Sequence, residues 1–520
     1  MNTAARQPAG RAQASVAAAI RLHAADNVVV AGRALSIGTV LEGENITCRN
    51  EIASGHKIAA AAITKGELVR KYNQVIGVAS APIAPGEHVH THNCVMASFE
   101  RDYAFGTEAR PTEFVPAAER ATFMGFARPD GRVGTRNYVA VMTTVNCSAT
   151  VARMIAKAFD GDALRAFPNI DGVVAFTHGT GCGMGTTGEG FDQLQRIMWG
   201  YMRQPNIGGV LIVGLGCEAN QIRFLLDMYG LKEGPTFQFY NIQDAGGTRA
   251  AVERGIEHVR AMLPHTNAIS RTSVSAEHLM LALQCGGSDG YSGITANPSL
   301  GAAADLLVRH GGSVLLSETP EIYGAEHLLT RRAASPAVGE ALIARIRWWE
   351  DYTARNGGEM NNNPTPGNRA GGLTTILEKS LGAAAKGGTT NLVDVCLYGA
   401  PPKAKGFVFM DSPGYDPVSI TGQVATGATI VCFTTGRGSV YGCKPSPSLK
   451  LATNTPMYER MSEDMDINCG EVLSHGVPVA EMGERIFKRI LAVASGERSK
   501  SEALGFGDNE FNPWVLGAVM

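Results

Sequence analysis

The chain has 520 residues, 44% hydrophobic and 18% charged, with a formal net charge of −2 and a pI near 6.6. That length predicts two to four domains with ordinary cores, and the near-neutral charge excludes the broad basic field that nucleic acid or an anionic membrane demands. No apolar run approaches the roughly 18 residues of a membrane span, and ten cysteines without CxxC spacing read as thiols and ligands, not a disulfide framework.

The N-terminal stretch has too short an apolar segment for a signal peptide and reads as a frayed arm of a cytoplasmic protein. Residues 17–97 then read as a small all-β module. Short strands such as NVVVA, KIAAAAI, ELVRKY and VIGVASAPI alternate with turns such as ITKGE and IAPGE. The module ends in HVHTHN. Alternation puts His88, His90 and His92 on one strand face, where they bind a metal, contact an anionic substrate, or form an exposed polar surface. His56 and Lys57, in SGHKIA, are candidate neighbours. Residues 98–125 lack periodicity and read as a linker.

From 126 to 265 continuous apolar runs alternate with helical patterns: YVAVMTTVN with VARMIAKAF, IDGVVAFT with FDQLQRIMWGYM, GGVLIVGLG with NQIRFLLDMYG, then TFQFYNI and AAVERGIEHVRAML. Buried parallel strands between helices write this grammar. A second α/β region, 272–515, offers LMLALQC, GSVLLSE, GFVFMD, ATIVCFTT and LKLAT as strands and EMGERIFKRILAVASG as an amphipathic helix. The insertion at about 321–392 reads as helical and polar. Its NNNPTPGNRAGG is too rich in Asn, Pro and Gly to be helix or strand.

Three cysteines end three successive strands. Cys147, Cys182 and Cys217 are spaced 35 residues apart, about one βα unit. In an open parallel sheet the ligand crevice lies outside the carboxyl ends of the strands, so the thiols are expected at one site. Cys285 ends the first strand of the next region. Thiolates favour zinc, iron or iron–sulfur centres; the alternative is buried cysteine acting as a small hydrophobe. His178, opening HGTGCGMG, is a candidate acid/base or ligand. That glycine-rich string lacks the spacing of a dinucleotide loop. Glu318, Glu321, Asp411, Asp466, Asn468 and Cys469 also crowd strand ends, and Arg437 in FTTGRG is placed to grip a carboxylate.

The strings GEHVHTHN, GRVGTRN, HGTGCG, GLGCE, CGGSDGYSGITANP, NPTPGNRAGGLTT, TTGRG and MDINCG together resemble the altronate/galactarate dehydratase family, from about residue 20 to the C-terminus. GEHVHTHN and ETPEIYGAEH are similar to the altronate branch, whereas GMGTTGEG after Cys182 resembles neither branch. The resemblance implies an N-terminal SAF, or β-clip, module followed by two Rossmann-like α/β domains with mostly parallel sheets, the first of them dimerising. It implies dehydration of a sugar acid to its 2-keto-3-deoxy acid, with Fe2+ or Mn2+; an iron–sulfur cluster and a sulfolactate-type sulfo-lyase activity remain alternatives, as does a non-enzymatic sugar-acid binding protein. The candidate metal ligands are Cys147, Cys182, Cys217 and Cys285, with oxygen ligands such as Asp289 or Glu318 as the other option. His178, Cys182 and Asp289 are the candidate catalytic groups. His90, His92, Arg136, Asn137, Ser288 and Arg437 are the candidate substrate contacts.

Overall fold

The computed structural model describes residues 16–96 and 101–517; the expected N-terminal arm lies outside them. The β module holds a four-stranded antiparallel sheet (Ala19–Ile20, Val28–Ala31, Lys57–Ala59, His88–Val89) and a three-stranded one (Leu68–Lys71, Gln74–Ala79, Cys94–Val95). One core is its own, with Val29, Leu35, Leu41, Ile52 and Ile58 packed together. A second is shared: Val28, Val69, Ile76 and Val89 pack with Ala325, Leu381 and Ala384 of the C-terminal region. The apolar area buried there holds the module against the C-terminal region.

The expected linker is, from residue 101, a strap laid on that region. Gly106 N–H donates to Thr330 O and Val115 N–H to Arg309 O. The strap ends in a strand, Thr122–Ala127, that pairs antiparallel with Val133–Gly134 and with Arg271–Ser275. Entry to and exit from the second domain are thereby tied together. Periodicity gave no warning of this, because the sheet joins a short hairpin to a strand about 140 residues farther on.

The second domain is a parallel sheet in the order Gly172–Phe176, Tyr138–Thr143, Ile207–Gly214, Phe237–Asn241. Alternate side chains divide between its faces. Val139, Val141, Leu211 and Val213 pack under helices Ala149–Lys157 and Thr248–Asn267. Ala140, Met142, Val210 and Ile212 face helices Glu189–Met202 and Ile222–Tyr229 and share one core with Ala282, Leu315, Val408 and Phe433 of the last domain.

The C-terminal sheet has seven parallel strands in the order Leu392–Cys396, Phe407–Met410, Ser313–Leu316, Met280–Cys285, Ile430–Thr435, Ser448–Ala452, Ile467–Asn468. Two edge strands, Leu392–Cys396 and Ile467–Asn468, escape a hydrophobic-run reading, the first because Asp394 interrupts it and the second because it is only two residues long. NNNPTPGNRAGG does contain a short helix, Pro366–Ala370. Thr365 and Asn368 form a capping box around a helix that starts with Pro, so local capping outweighs composition. No helix among the described residues is long and apolar enough to cross a membrane.

The first strand of this sheet is central. The chain builds outward from it on one side, then returns to the other side at Ile430–Thr435. Ligands of open α/β sheets bind at that reversal, outside the carboxyl ends of the strands.

Candidate functional site

At the reversal, Cys285 leads into GGSDGYSG. Asp289 is buried and accepts hydrogen bonds from Ser292 Oγ (3.1 Å), Tyr291 N–H (3.1 Å), Thr453 Oγ1 (3.0 Å) and Asn454 Nδ2 (3.1 Å). Through these bonds it splices two strand-end loops, and it also lines the pocket that opens beneath the β module. Ser288 is likewise buried, and its carbonyl accepts from Asn368 Nδ2 (2.9 Å). It anchors the 361–372 loop and is not exposed to a substrate.

The β module roofs this loop. Ser54 Oγ lies 2.5 Å from Tyr291 Oη, which donates to Ala31 O (2.8 Å). Gly290 must be glycine here, since a Cβ would stand 2.0 Å from Gly55 O. Between roof and sheet edge opens a pocket of ≈ 420 Å³, lined among others by Arg33, Ser54, Arg437, Asn454, Arg460 and Ser474. Arg437 is exposed at its wall, with a second guanidinium, Arg460, that the sequence reading missed.

Ala370 also lines the pocket, and its carbonyl lies 3.3 Å from His56 Nε2. Antiparallel pairing of Ile58 with His88 and Lys57 with Val89 in the module's sheet sets His56 opposite His90 and diagonal to His88. His56 Nδ1 is 3.0 Å from His88 Nε2, and the His56–His90 ring centroids are 4.9 Å apart. Each of the three offers a ligand atom within 4.8 Å of the others. Burial pulls His88 down to about 4 and His90 to about 3, helped by neighbouring imidazoles and Lys57, which favours neutral rings. His90 Nδ1 is buried without a hydrogen-bond partner. Neutral imidazoles with an orphaned ring nitrogen fit a divalent iron or manganese ion. His92 is exposed, its ring tilted against His88 at a centroid distance of 5.5 Å.

Lys57 points away from this cluster. Its Nζ donates to Glu378 (2.8 Å) and Gly372 O (2.6 Å), and Lys71 donates to the other Glu378 oxygen (3.0 Å). Burial pushes the Glu378 carboxyl up, but the two ammonium groups outweigh it and hold the group well below the usual carboxylate range. This buried triad latches the module to the C-terminal domain.

Farther along the same edge lies a second, closed cluster: Cys285, Glu318 and Glu321, again with ligand atoms mutually within 4.8 Å. Lys386 donates to Cys285 Sγ (2.9 Å); Lys379 donates to Glu321 (2.6 Å), as does Asn363 Nδ2 (2.9 Å). Burial pushes the Cys285 thiol up to about 12 and Asp416 to about 6, and burial with the Glu321 charge raises Glu318 well above its ordinary value. Glu318 sits at φ +70, a backbone region unfavourable for a non-glycine residue.

The second domain's edge is different. Cys147, Cys182 and Cys217 follow the carboxyl ends of adjacent strands, and all three are exposed. Their loops are laced together: Asn146 N–H donates to Thr180 O (3.1 Å), Asn220 N–H to Gly181 O (3.0 Å), and Asn220 Nδ2 to Thr144 O (2.8 Å). Gly181, at φ +101, permits a backbone approach where a Cβ would stand 2.1 Å from Thr144 O. Glu218, also missed from sequence, is buried and accepts from Leu215 N–H (3.1 Å) and Gly216 N–H (2.6 Å), fixing the Cys217 turn. The three thiols are not among the sets gathered tightly enough for a single ion in the described residues.

His178 is corrected as an acid/base. It is buried, Nε2 is 3.0 Å from Thr143 O, and Nδ1 accepts from Thr180 N–H (3.4 Å). Burial pulls it down to about 4. Both nitrogens serve backbone, so the ring is a cross-tie. Arg136 and Asn137 are corrected as substrate contacts, because both lie at the amino end of Tyr138–Thr143, the edge opposite the cysteines. Arg136 chelates Glu502 (2.6 and 2.8 Å) and backbone carbonyls; Asn137 bonds Asn169 O (2.7 Å) and Thr266 O (3.0 Å). Asp411 accepts from Thr319 Oγ1 (2.6 Å) and Trp349 Nε1 (2.8 Å), and Cys469 is core.

Three family models match in chain order: the altronate/galactarate dehydratase SAF domain over 17–97, the D-galactarate dehydratase/altronate hydrolase second domain over 125–267, and the D-galactarate/altronate dehydratase C-terminal domain over 276–519. The chain is 35% identical to an altronate dehydratase of Escherichia coli and 34% identical to one of Bacillus subtilis, over 94% of this chain and 97% of each relative. It is 35% identical to a galactarate dehydratase (L-threo-forming) of Escherichia coli, over 92% of this chain and 93% of the relative. The chain belongs to the altronate/galactarate dehydratase family.

Proposed function

We propose that this protein is a hydro-lyase that dehydrates a sugar acid, altronate first among the family's substrates, to its 2-keto-3-deoxy acid. The observation that carries the reading is the end-to-end similarity to altronate and galactarate dehydratases, over 94% and 92% of the chain. The pocket under the β module supplies the matching chemistry. Arg437 and Arg460 hold the substrate carboxylate, and Ser54 and Ser474 meet its hydroxyls. His92, exposed beside His88, is the candidate base for the proton alpha to the carboxylate. Loss of that proton from C2 and of the hydroxyl from C3 gives an enol, which tautomerises to the 2-keto product; atoms balance with water as the only other product.

His56, His88 and His90 would hold Fe2+ or Mn2+, which supplies Lewis acidity toward the departing hydroxyl. The docked module keeps bulk water from the pocket floor, and the Lys57–Glu378–Lys71 latch keeps the histidines over it. A cytoplasmic homodimer formed through the second domain accompanies this reading.

The test is anaerobic turnover with Fe(II) on a panel of aldonates and aldarates, assaying 2-keto-3-deoxy product, with sulfite release from sulfolactate as the control for sulfo-lyase chemistry. Iron and acid-labile sulfide measured on the same sample separate a single ion from an iron–sulfur cluster at Cys147, Cys182 and Cys217. Product from no acid sinks the dehydratase reading; sulfite release replaces it with the sulfo-lyase.

A further inference from the structure

The closed cluster beneath the C-terminal sheet edge is a physical anomaly. Glu318 is 1% exposed, yet neither carboxylate oxygen has a hydrogen-bond partner. The nearest cation, Lys386 Nζ, is 3.9 Å from Oε2, beyond hydrogen-bond reach. A buried, unsatisfied carboxyl costs several kcal/mol by the usual scale, and here it also sits on left-handed backbone. Such strain persists where the surroundings enforce it, characteristically at functional sites.

Four acids, Cys285, Glu318, Glu321 and Asp416, share the enclosure with two ammonium groups, Lys379 and Lys386. The geometry is that of a ligand set. Glu318, Cys285 and Glu321 present atoms mutually within 4.8 Å. Lys379 occupies Oε1 of Glu321 and leaves Oε2, 3.6 Å from Cys285 Sγ, facing the same space.

We propose that Cys285, Glu318 and Glu321 bind a second divalent transition-metal ion, separate from the one assigned to the histidines. One thiolate with two carboxylates suits iron, zinc or cobalt and disfavours magnesium and calcium. Binding a divalent ion displaces two protons to solvent, one from the Cys285 thiol and one from the Glu318 carboxyl, satisfies the Glu318 oxygens and leaves the enclosure neutral. Lys386 and Asn363 then act as outer partners that orient the ligands. Asn363 belongs to the 361–372 loop, so the ion would fix the loop whose Ala370 walls the pocket. The proposal does not depend on which acid is turned over.

The test is an anaerobic Co(II) titration of chelator-stripped protein, followed by equilibrium dialysis and by the thiolate-to-cobalt charge-transfer band that only a cysteine ligand produces. Two equivalents per chain with the band present are expected. Cys285→Ser should abolish the band, Glu318→Gln should lose one equivalent, and His56→Ala with His90→Ala should lose the other equivalent while the band stays. At most one equivalent in the wild-type protein, no band, a band that survives Cys285→Ser, or a band lost with the histidines would each overturn the second site. The first two readings use unmodified protein, so they hold even where a variant fails to fold.

Discussion

The two parallel sheets carry their reactive residues at the same kind of place and treat them in opposite ways. On the four-stranded sheet, Cys147, Cys182 and Cys217 stand exposed on loops laced by backbone hydrogen bonds. On the seven-stranded sheet, Cys285 is buried against Lys386, with charged partners on every side and the β module and 361–372 loop overhead. A strand's carboxyl end therefore locates candidate chemistry, but what is stacked above it decides the electrostatics. Without a roof the thiols stay in water; under one, every charge must find a counter-charge.

Removing the roof's latch should have the largest effect. Glu378→Ala leaves two buried ammonium groups unpaired and is expected to cost about 3–5 kcal/mol of stability, read as a shift in the urea midpoint and as new proteolytic cleavage within the module. An unchanged midpoint would mean the two edges do not differ in this way. Next, Arg437→Ala should lower kcat/KM for the sugar acid by about a hundredfold, roughly 3 kcal/mol of lost carboxylate binding, with stability barely altered because the side chain is exposed. An equal loss in thermal stability would make it a scaffold residue instead.

The exposed edge makes its own prediction through His178. Its folded pKa, about 4, lies below the ordinary 6.5, so the unfolded chain binds the extra proton between those values. Its stabilising contribution is then complete above pH 6.5 and lost as pH falls toward 4, at most about 3 kcal/mol. His178→Gln should flatten that part of the stability–pH curve, and a variant with the wild-type slope would refute the cross-tie. The smallest expected effect sharpens the contrast most directly. Metal-free native protein should expose three fast-reacting thiols, and Cys147→Ala, Cys182→Ala and Cys217→Ala should each remove one while changing stability by no more than about 0.5 kcal/mol. Rapid modification of Cys285 would erase the distinction between the edges.

Sequence by itself determined the order of modules, the long apolar strands of both α/β domains, and the strand-end position of Cys147, Cys182, Cys217, Cys285, Glu318 and Arg437, because apolar runs and turn residues are local signals. It also put His88 and His90 on one strand face. Only tertiary structure decided which of these residues meet. His56 joins His88 and His90 through antiparallel pairing across thirty-two residues. Cys285 gathers Glu318, Glu321, Lys379 and Lys386 from three segments. The same packing ties His178, Ser288, Arg136 and Asn137 into structural contacts, because their polar atoms are spent on backbone, loops and Glu502. Periodicity reports which face a side chain takes; whether its hydrogen-bonding capacity is left free depends on neighbours that arrive from elsewhere in the chain.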